Sequence, residues 1–295
     1  MATLRDIRRR IVAVRNTSQI TSAMRMVAAA KLRKAQNAII AARPYASKVA
    51  EILQNLAQAE RYSFAHPFFE ERADVRSILL IVVASDRGLC GAFNANVLKA
   101  AQYYIERKFP EEFPKAQVRI IAVGKRAVQF FQRRKDTVIL ALPDVFGRLE
   151  FSTVLQIAPH VGEGFISGQY DRVFVLYNEF RSILRQEVRR KQILPILAVG
   201  TEQQRDAGDY IYEPSRAEIL EALLPQYVNV QLWSALLESH AAEHAARMVA
   251  MDNATTNARD LIASLQLEYN KARQAAITKE MLEIVGGAEA LRASS

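Results

Sequence analysis

One turn of the sequence has the composition of a phosphate-binding loop. Residues 85–94 read Ser-Asp-Arg-Gly-Leu-Cys-Gly-Ala-Phe-Asn and follow an apolar run, residues 77–84, that is typical of a strand buried on both faces. Ligands often bind at the carboxyl ends of such strands. The two glycines do not have the GxGxxG spacing, however, and the chain contains no GxxxxGK[ST] motif. We therefore predict a tight structural turn here and no nucleotide site.

Three other side chains could do chemistry. Cys90 could act as a nucleophile, but no histidine lies at a spacing known for such a pair, so we expect a small buried residue. His240 and His244 are one helical turn apart, as in some metal sites. The zinc-protease pattern needs Glu directly after the first histidine, where Ala241 stands, so we expect a solvated helix face. We predict no catalytic residue, cofactor or metal ligand, and no enzyme activity for this chain by itself.

Cysteine content and hydropathy exclude further classes. Cys90 is the only cysteine, which excludes an internal disulfide or a cysteine-based zinc cluster and indicates a reducing compartment. The longest apolar stretch, near residues 78–84, is far shorter than the roughly 20 residues of a membrane-spanning helix. The N-terminus has no apolar secretory signal. It is rich in Arg and poor in acids, like a transit peptide, but its helical pattern continues without a break.

The positive charge is confined to one segment. The 295 residues carry a net charge of +9. Residues 1–43 contain ten bases and a single acid, Asp6, so they account for the whole excess. Such a segment usually binds nucleic acid, an anionic membrane or an acidic protein partner. The bases are Arg5, Arg8, Arg9, Arg10, Arg15, Arg25, Lys31, Arg33, Lys34 and Arg43.

Glycine and proline predict where the chain folds into long helices. The first of these breakers is Pro44, and none occurs between Pro225 and Gly286. Thr3 and Asp6 form a capping box at the start of the first helix, which we expect to run to about residue 62 despite Pro44. The last helix is predicted from Gln226 to the Gly286–Gly287 pair.

Both terminal helices have an apolar seam with three-four spacing. Because helices of this length need a partner and a compact segment lies between them, we predict an antiparallel two-helix coiled coil. A helical bundle with the same seams is the alternative, which the strict repeat disfavours. The seam positions are Leu4, Ile7, Ile11, Val14, Ser18, Thr21, Ala28, Leu32, Ala35 and Ile39 in the first helix, and Met248, Met251, Thr255, Ala258, Ile262, Leu265, Tyr269, Ala272 and Ala276 in the last.

The middle of the chain alternates strand and helix patterns. Four apolar runs predict parallel strands, and residues 181–197 alternate apolar and polar residues like antiparallel strands. The predicted fold class is α/β, a long antiparallel coiled coil plus a Rossmann-like α/β domain between its helices. The predicted segments are residues 1–62 (N-terminal coiled-coil helix), 75–210 (α/β foot) and 215–295 (C-terminal coiled-coil helix).

Nucleic-acid binding is a weaker interpretation of the basic helix. Arg8, Arg9 and Arg10 alone span about 200° of the helix surface. A helix that reads DNA concentrates its charge on one face, and an aromatic residue that could stack on bases does not occur before Tyr45. Charge on all sides suits an environment that is acidic in every direction. A basic coiled-coil protein that binds nucleic acid or membranes remains the alternative.

Four motifs, in order along the chain, resemble the gamma subunit of F-type ATP synthase. They are residues 20–31 (ITSAMRMVAAAK), 85–91 (SDRGLCG), 246–255 (ARMVAMDNAT) and 269–280 (YNKARQAAITKE). The resemblance covers essentially the whole chain. It implies the central rotor stalk, with a coiled coil inside a ring of three alpha and three beta subunits and a foot on the epsilon subunit and the c-ring. It also implies that the catalytic groups belong to other subunits, that no cofactor is bound, and that membrane contact is indirect.

The resemblance also assigns contact residues. Arg273 and Gln274 match positions that contact a beta-subunit loop. Tyr212 and Glu213 match the foot that meets the c-ring. Positions tied to coupling efficiency are matched by Met24, Arg247, Thr278 and Glu280. For Met24, ordinary packing in the seam is the alternative.

One departure from the family bears on the source of the chain. Plant chloroplast members carry an inserted segment with a regulatory dithiol, whereas residues 197–214 are short here and Cys90 is the only cysteine. Thiol switching is therefore excluded. A peripheral location on the cytoplasmic face of a bacterial inner membrane is expected.

Overall fold

The computed structural model describes residues 3–59, 66–197, 213 and 215–293. Tyr212 lies outside the described residues. The terminal helices are α1, Leu4–Ala59, and α6, Arg216–Ala293. None of the described helices has an apolar stretch long enough to cross a membrane.

The capping box at the start of α1 is confirmed. The Asp6 amide donates to Thr3 Oγ1 over 3.2 Å, and the Thr3 hydroxyl donates to Asp6 Oδ2 over 2.7 Å. The first bond satisfies a free amide at the helix start, and the second lowers the pKa of the Asp6 carboxyl. Pro44 lies inside the helix and does not end it.

The ends of α6 that were predicted from Pro225 and from the Gly286–Gly287 pair are both wrong. The helix includes Pro225, which the sequence placed before its start. The missing amide bond is tolerated because Leu220 and Leu224, on the preceding turn, are fully buried against the sheet and hold the helix in place. The helix also continues through Gly286–Gly287 to Ala293. Glycine favours a helix end but is compatible with helical backbone at a cost of about 1 kcal/mol.

The middle of the chain forms the predicted strands and helices. Where residues 181–197 alternate apolar and polar side chains, the structure has a single antiparallel strand. One helix continues through a π-helical turn, Tyr104–Lys108, into a short helix, Phe109–Glu112. The strands are β1 Ser77–Val83, β2 Gln117–Val123, β3 Val138–Leu142, β4 Arg172–Phe180 and β5 Gln186–Leu194, and the helices are α2 Phe93–Tyr103, α3 Phe109–Glu112, α4 Lys125–Arg134 and α5 Ser152–Ile166, with a 3₁₀ turn at Pro67–Phe69.

The sheet has the Rossmann-like order β3-β2-β1-β4-β5. Strands β1 to β4 are parallel, and β5 pairs antiparallel with β4 at one edge. The α/β fold class and the antiparallel edge are therefore confirmed. In β1, Leu79, Ile81 and Val83 face one apolar cluster, whereas Ile78, Leu80 and Val82 face another. Both faces are buried, which explains the unbroken apolar run in the sequence.

The chain divides into two compact units. The helical unit comprises Met1–Val27 and Met248–Ser295, and the sheet unit comprises Ala28–Arg247. In the sheet unit, Leu53 and Leu56 of α1 and Leu220 and Leu224 of α6 join the core on one face of the sheet. The Tyr45 hydroxyl donates to Gln226 Oε1 over 3.1 Å and links the two helices directly.

The helical unit contains the predicted seam of α1 as far as Thr21, together with the predicted seam of α6. Ile7 and Ile11 of α1 are buried against Leu265 of α6, and Thr21 and Thr255 share a buried hydrogen bond of 2.7 Å. Arg25 and Asp252, one helical turn further along, form an exposed ion pair of 3.5 Å. Since the residue numbers rise on one helix as they fall on the other, the pairing is antiparallel, as predicted.

Two glycines provide a matched test of backbone constraint. Gly124, between β2 and α4, has φ of +89°, and a Cβ there would lie 1.9 Å from the Ala84 carbonyl oxygen. We expect Gly124→Ala to lower the free energy of unfolding by about 3 kcal/mol or more. Gly286→Ala meets nothing within 4 Å and lies in a helix, so it should leave stability unchanged or raise it by up to about 1 kcal/mol.

Thermal unfolding of the two variants, followed by circular dichroism, measures this difference. Equal melting temperatures for both variants would contradict the close approach of β2 to the end of β1.

Candidate functional site

The outer surface of the helical unit is basic on α1. The arginines of its first 27 residues are all exposed, and in the described part of the chain only Arg25 among them has an ion pair, with Asp252. The others are therefore available to an acidic partner on any side of the helix. These arginines are Arg5, Arg8, Arg9, Arg10 and Arg15.

Four of the predicted contact residues of α6, namely Arg273, Gln274, Thr278 and Glu280, are exposed and follow the last residue of the apolar cluster in the helical unit. Ala272 is the last α6 residue of the apolar cluster that includes Ile7, and α1 begins at Leu4, so α6 continues past its partner helix. Arg273 and Gln274 are exposed, as are Thr278 and Glu280 further along. The Thr278 hydroxyl donates to the Gln274 carbonyl oxygen over 3.0 Å, which ties it to its own helix.

An apolar surface covers the same stretch of α6. The large apolar side chains there are between 51% and 72% exposed. A contiguous exposed apolar surface of this kind is typical of a protein interface. The helix has no partner along this stretch in the described part of the chain. They are Ile277, Met281, Leu282, Ile284 and Val285.

The remaining predicted contact residues are dispersed. Met24 is half-buried on α1 of the helical unit, and Glu213 is exposed in a bend before α6. Arg247 lies in the sheet unit, where its side chain is only 11% exposed. The structure therefore places Arg273, Gln274, Thr278 and Glu280 together and holds Arg247 inside a separate polar cluster.

The turn after β1, residues 85–91 (the β1 turn), is closed by its own side chains. The Ser85 hydroxyl donates to the Arg87 carbonyl over 2.6 Å, and the Asn94 amide side chain bridges Ser85 N and Oγ. The Asp86 carboxylate accepts from the amides of Lys125 and Phe146. Cys90 is buried against Phe93 and Ala242, as expected. The prediction of a tight structural turn is confirmed.

Arg247 connects α6 to this turn. Its guanidinium pairs with Glu243 Oε1 at 2.6 Å and donates to the carbonyl oxygens of Gly88, at 3.2 Å, and Arg87, at 3.4 Å. His244 Nδ1 lies 3.4 Å from the same guanidinium. These contacts use most of the planar donor set of arginine.

The expectation that His240 and His244 form a solvated helix face is wrong. His244 is 3% exposed, and its Nε2 lies 3.0 Å from Nε2 of His240. The His240 ring also contacts Phe146, 5.8 Å between centroids, because this part of α6 packs against the segment after β3. Burial lowers the pKa of His240 to about 4 and that of His244 to about 3, with further lowering by Lys31 and Arg247.

A cleft of about 470 Å³ opens beside this cluster in the sheet unit. Glu243 lines it, and Glu243 Oε2 is buried without a hydrogen-bond partner in the described part of the chain. Burial raises the pKa of the Glu243 carboxyl, which Arg247 opposes. The cleft is also lined by Lys31, Asp86, Arg87, Lys125, Asp144, Phe146, Gly147, His244 and Arg247.

Sequence reasoning singled out Arg247 and missed the residues that hold it. Glu243 precedes Arg247 by four positions, the orientation that stabilises an ion pair on a helix. That spacing was a usable signal. The carbonyl oxygens of Arg87 and Gly88 had no such signal, since every residue carries one and only the tertiary structure brings these two to Arg247.

The buried histidines predict a pH dependence of stability. Both take up protons near pH 6.5 in the unfolded chain but only near pH 3 to 4 in the fold. The unfolded state therefore binds more protons in this interval, and stability falls as pH decreases from 6.5 toward 4. Each histidine contributes up to about 1.4 kcal/mol per pH unit.

Glu243, whose pKa is raised, acts in the opposite direction. The pH dependence of the melting temperature must therefore be compared between the unmodified chain and the double variant His240→Gln/His244→Gln. We expect the melting temperature of the variant to fall less steeply between pH 6.5 and 4.5. Parallel curves would contradict the burial of neutral histidines.

Comparison with known proteins gives a consistent result. A family model described as "ATP synthase" matches residues 3–291. The "ATP synthase gamma chain" of Chlorobium luteolum is 48% identical over 295 residues, which cover 99% of this chain and 100% of that protein.

Solved structures agree with the sequence relatives. The central stalk/c-ring structure of the Tetrahymena thermophila mitochondrial ATP synthase is 25% identical, with a TM-score of 0.59 over 80% of this chain and 99% of that chain. A chain of the Euglena gracilis mitochondrial ATP synthase has a TM-score of 0.67 over 99% of this chain and 95% of that chain, at 21% identity, and shares the fold.

Proposed function

The chain belongs to the ATP synthase gamma-chain family, and from that membership we propose that it is the central rotor shaft of an F-type ATP synthase. Proton flow turns a ring of c subunits, and the chain turns with the ring. The asymmetric shaft then forces the beta subunits through different affinities for nucleotide. The observation that supports this function is the match to the family along nearly the whole chain.

Two surfaces of the helical unit suit a shaft enclosed by other subunits. The exposed arginines of α1 offer charge-assisted hydrogen bonds to acidic loops at many rotational angles. The exposed apolar side chains of α6 between Ile277 and Val285 suit a surrounding apolar protein surface. Such a surface excludes water but does not fix one rotational orientation of the helix. The surrounding partners are alpha and beta subunits. The foot binds an epsilon subunit and the c-ring.

Individual contacts follow from the family positions. Arg273 and Gln274 bind a loop of one beta subunit, and both are exposed on α6 as this role requires. Met24, Arg247, Thr278 and Glu280 affect coupling between rotation and nucleotide chemistry. Glu213, which is exposed, and Tyr212 belong to the part of the foot that meets the c-ring.

The chain contributes to catalysis without supplying catalytic groups. ATP forms and breaks down on the beta subunits, with help from the alpha subunits. The chain is a peripheral subunit on the cytoplasmic face of a bacterial inner membrane, and it contacts the membrane through the c-ring. It binds no nucleic acid in this role.

Co-expression with alpha and beta subunits tests the rotor function against the alternative. We expect the three chains to elute from gel filtration as one large complex with ATPase activity. A basic coiled coil that binds nucleic acid would instead elute separately and stay on immobilised DNA at moderate salt, because several phosphate contacts would hold it there. That result would overturn the rotor function.

A positive charge at position 24 tests whether this part of α1 contacts acidic loops of the beta subunits. Met24 is half-buried and close to Arg25, so Met24→Lys adds a base that acidic loops of the beta subunits can bind. One charge-assisted bond is worth roughly 1.5–3 kcal/mol, enough to slow its release by about one to two powers of ten. We expect the complex to hydrolyse ATP while pumping fewer protons per ATP.

Met24→Leu is the matched control, because it keeps an apolar side chain of similar volume. Vesicles that contain the complete ATP synthase allow hydrolysis and proton pumping to be measured together. If Met24→Lys couples like the control, Met24 only packs in the seam.

A further inference from the structure

The apolar attachment of α6 to the sheet unit weakens along the helix. Up to Leu236, large side chains of α6 lie in the core on one face of the sheet. Beyond it, Leu237 is the next large apolar residue that is buried, and the residues with no exposed surface are small, namely Ser239, Ala241, Ala242 and Ala245. Alanine surfaces allow close approach, but they have no ridges that interlock with a neighbour and resist sliding or rotation.

Directional polar contacts take over where the side chains become small. Arg247 Nη2 reaches the carbonyl oxygens of Gly88 and Arg87 in the β1 turn, while Nη1 pairs with Glu243 on the preceding turn of α6. The Glu243 and Arg247 side chains are 5% and 11% exposed. Because hydrogen bonds weaken steeply with angle, these contacts resist rotation of α6 about its own axis in a way that alanine packing does not.

The histidines complete the cluster. Since a guanidinium has no acceptor, His244 Nδ1 must accept from Arg247. His244 then carries its proton on Nε2 and donates it to Nε2 of His240. The chain of bonds therefore requires both rings to be neutral, and the lowered pKa values of both rings agree with this.

Arg247 contacts the β1 turn next to an uncommon backbone conformation. Leu89 has φ of +61°, an uncommon conformation for a residue with a side chain. Arg87 and Leu89 project outward from the turn, and Leu89 is 65% exposed. The carbonyl oxygens that Arg247 binds are on the two residues directly before Leu89, so Arg247 holds the strained part of the turn.

We propose that Glu243, His244 and Arg247 form a torsional latch that fixes the rotation of α6 relative to the β1 turn within the sheet unit. Glu243 and His244 are positioning residues that aim the guanidinium, and Arg247 makes the bonds across to the turn. The latch transmits torque between the α/β sheet and the helix that continues into the shaft. This role rests on the proposed rotor function.

Two double variants separate a latch from a simple ion pair. Glu243→Gln/Arg247→Met removes both charges and the donors while keeping most of the buried volume. Glu243→Arg/Arg247→Glu restores an ion pair on the same two helical positions, but a carboxylate at position 247 cannot donate to the carbonyl oxygens of the β1 turn. The control is Lys48→Met/Glu51→Gln, which neutralises an exposed pair of α1 with a separation of 2.7 Å.

Hydrogen–deuterium exchange of the β1 turn, in complexes with alpha and beta subunits, reports the latch directly. We expect amides of residues 87–91 to exchange about tenfold faster in both latch variants and at the original rate in the control. In vesicles with the complete ATP synthase, both latch variants should hydrolyse ATP and pump fewer protons per ATP. If the charge-swapped variant recovers normal exchange and coupling, the pair only stabilises the helix and the proposal is wrong.

The remaining outcomes are also decisive. If the neutral variant fails to assemble with alpha and beta subunits while the control assembles, the cluster is needed for folding and the latch is overturned. Unchanged exchange and coupling in the neutral variant would overturn it too. If the unmodified chain forms no complex that couples ATP hydrolysis to proton pumping, the proposed rotor function is wrong. The hydrogen–deuterium exchange measurement on the full chain still tests the contact between Arg247 and the β1 turn in that case.

Discussion

A long helix must bury one side along its whole length, and the rest of the structure follows from how α6 meets this requirement. Its 78 residues have three different environments. The first part packs against the sheet unit through Leu220, Leu224 and Leu236, the next pairs with α1 in the helical unit, and the stretch beyond Ala272 has exposed apolar side chains. The third environment leaves these apolar side chains exposed in the described part of the chain, which suits the enclosed shaft proposed above.

Polar groups specify geometry where packing alone would leave it open. The Thr21–Thr255 bond lies in a part of the seam that is otherwise small, and it favours one register of the two helices. Arg247 lies where α6 contributes alanines, and in the latch that we propose its bonds to the Arg87 and Gly88 carbonyl oxygens favour one rotation of the helix. In both places the buried polar groups select among arrangements that apolar contact would allow almost equally.

Much of the fold could be predicted because its signals are local. The strands β1 to β4 follow from apolar runs, the capping box from Thr3 and Asp6, and the coiled coil from the spacing of Ile7, Ile11 and Leu265. The errors occurred where long-range packing outweighs a local preference. Pro225 remains helical because its neighbours are anchored in the core, and His244 is buried because the helix face that carries it packs against residues more than 90 positions earlier in the chain.

The sequence by itself determined which segments are helix or strand, where the positive charge lies, and that no known nucleotide motif is present, because periodicity, charge and motif spacing are properties of short stretches. It also determined the family, since nearly every segment carries part of the match. Only the tertiary structure decided which charged residues face outward and which become buried partners. Arg273 and Arg247 are the same residue type on the same helix, but Arg273 is exposed and Arg247 binds the β1 turn. The difference depends on what folds against each, which no local pattern encodes.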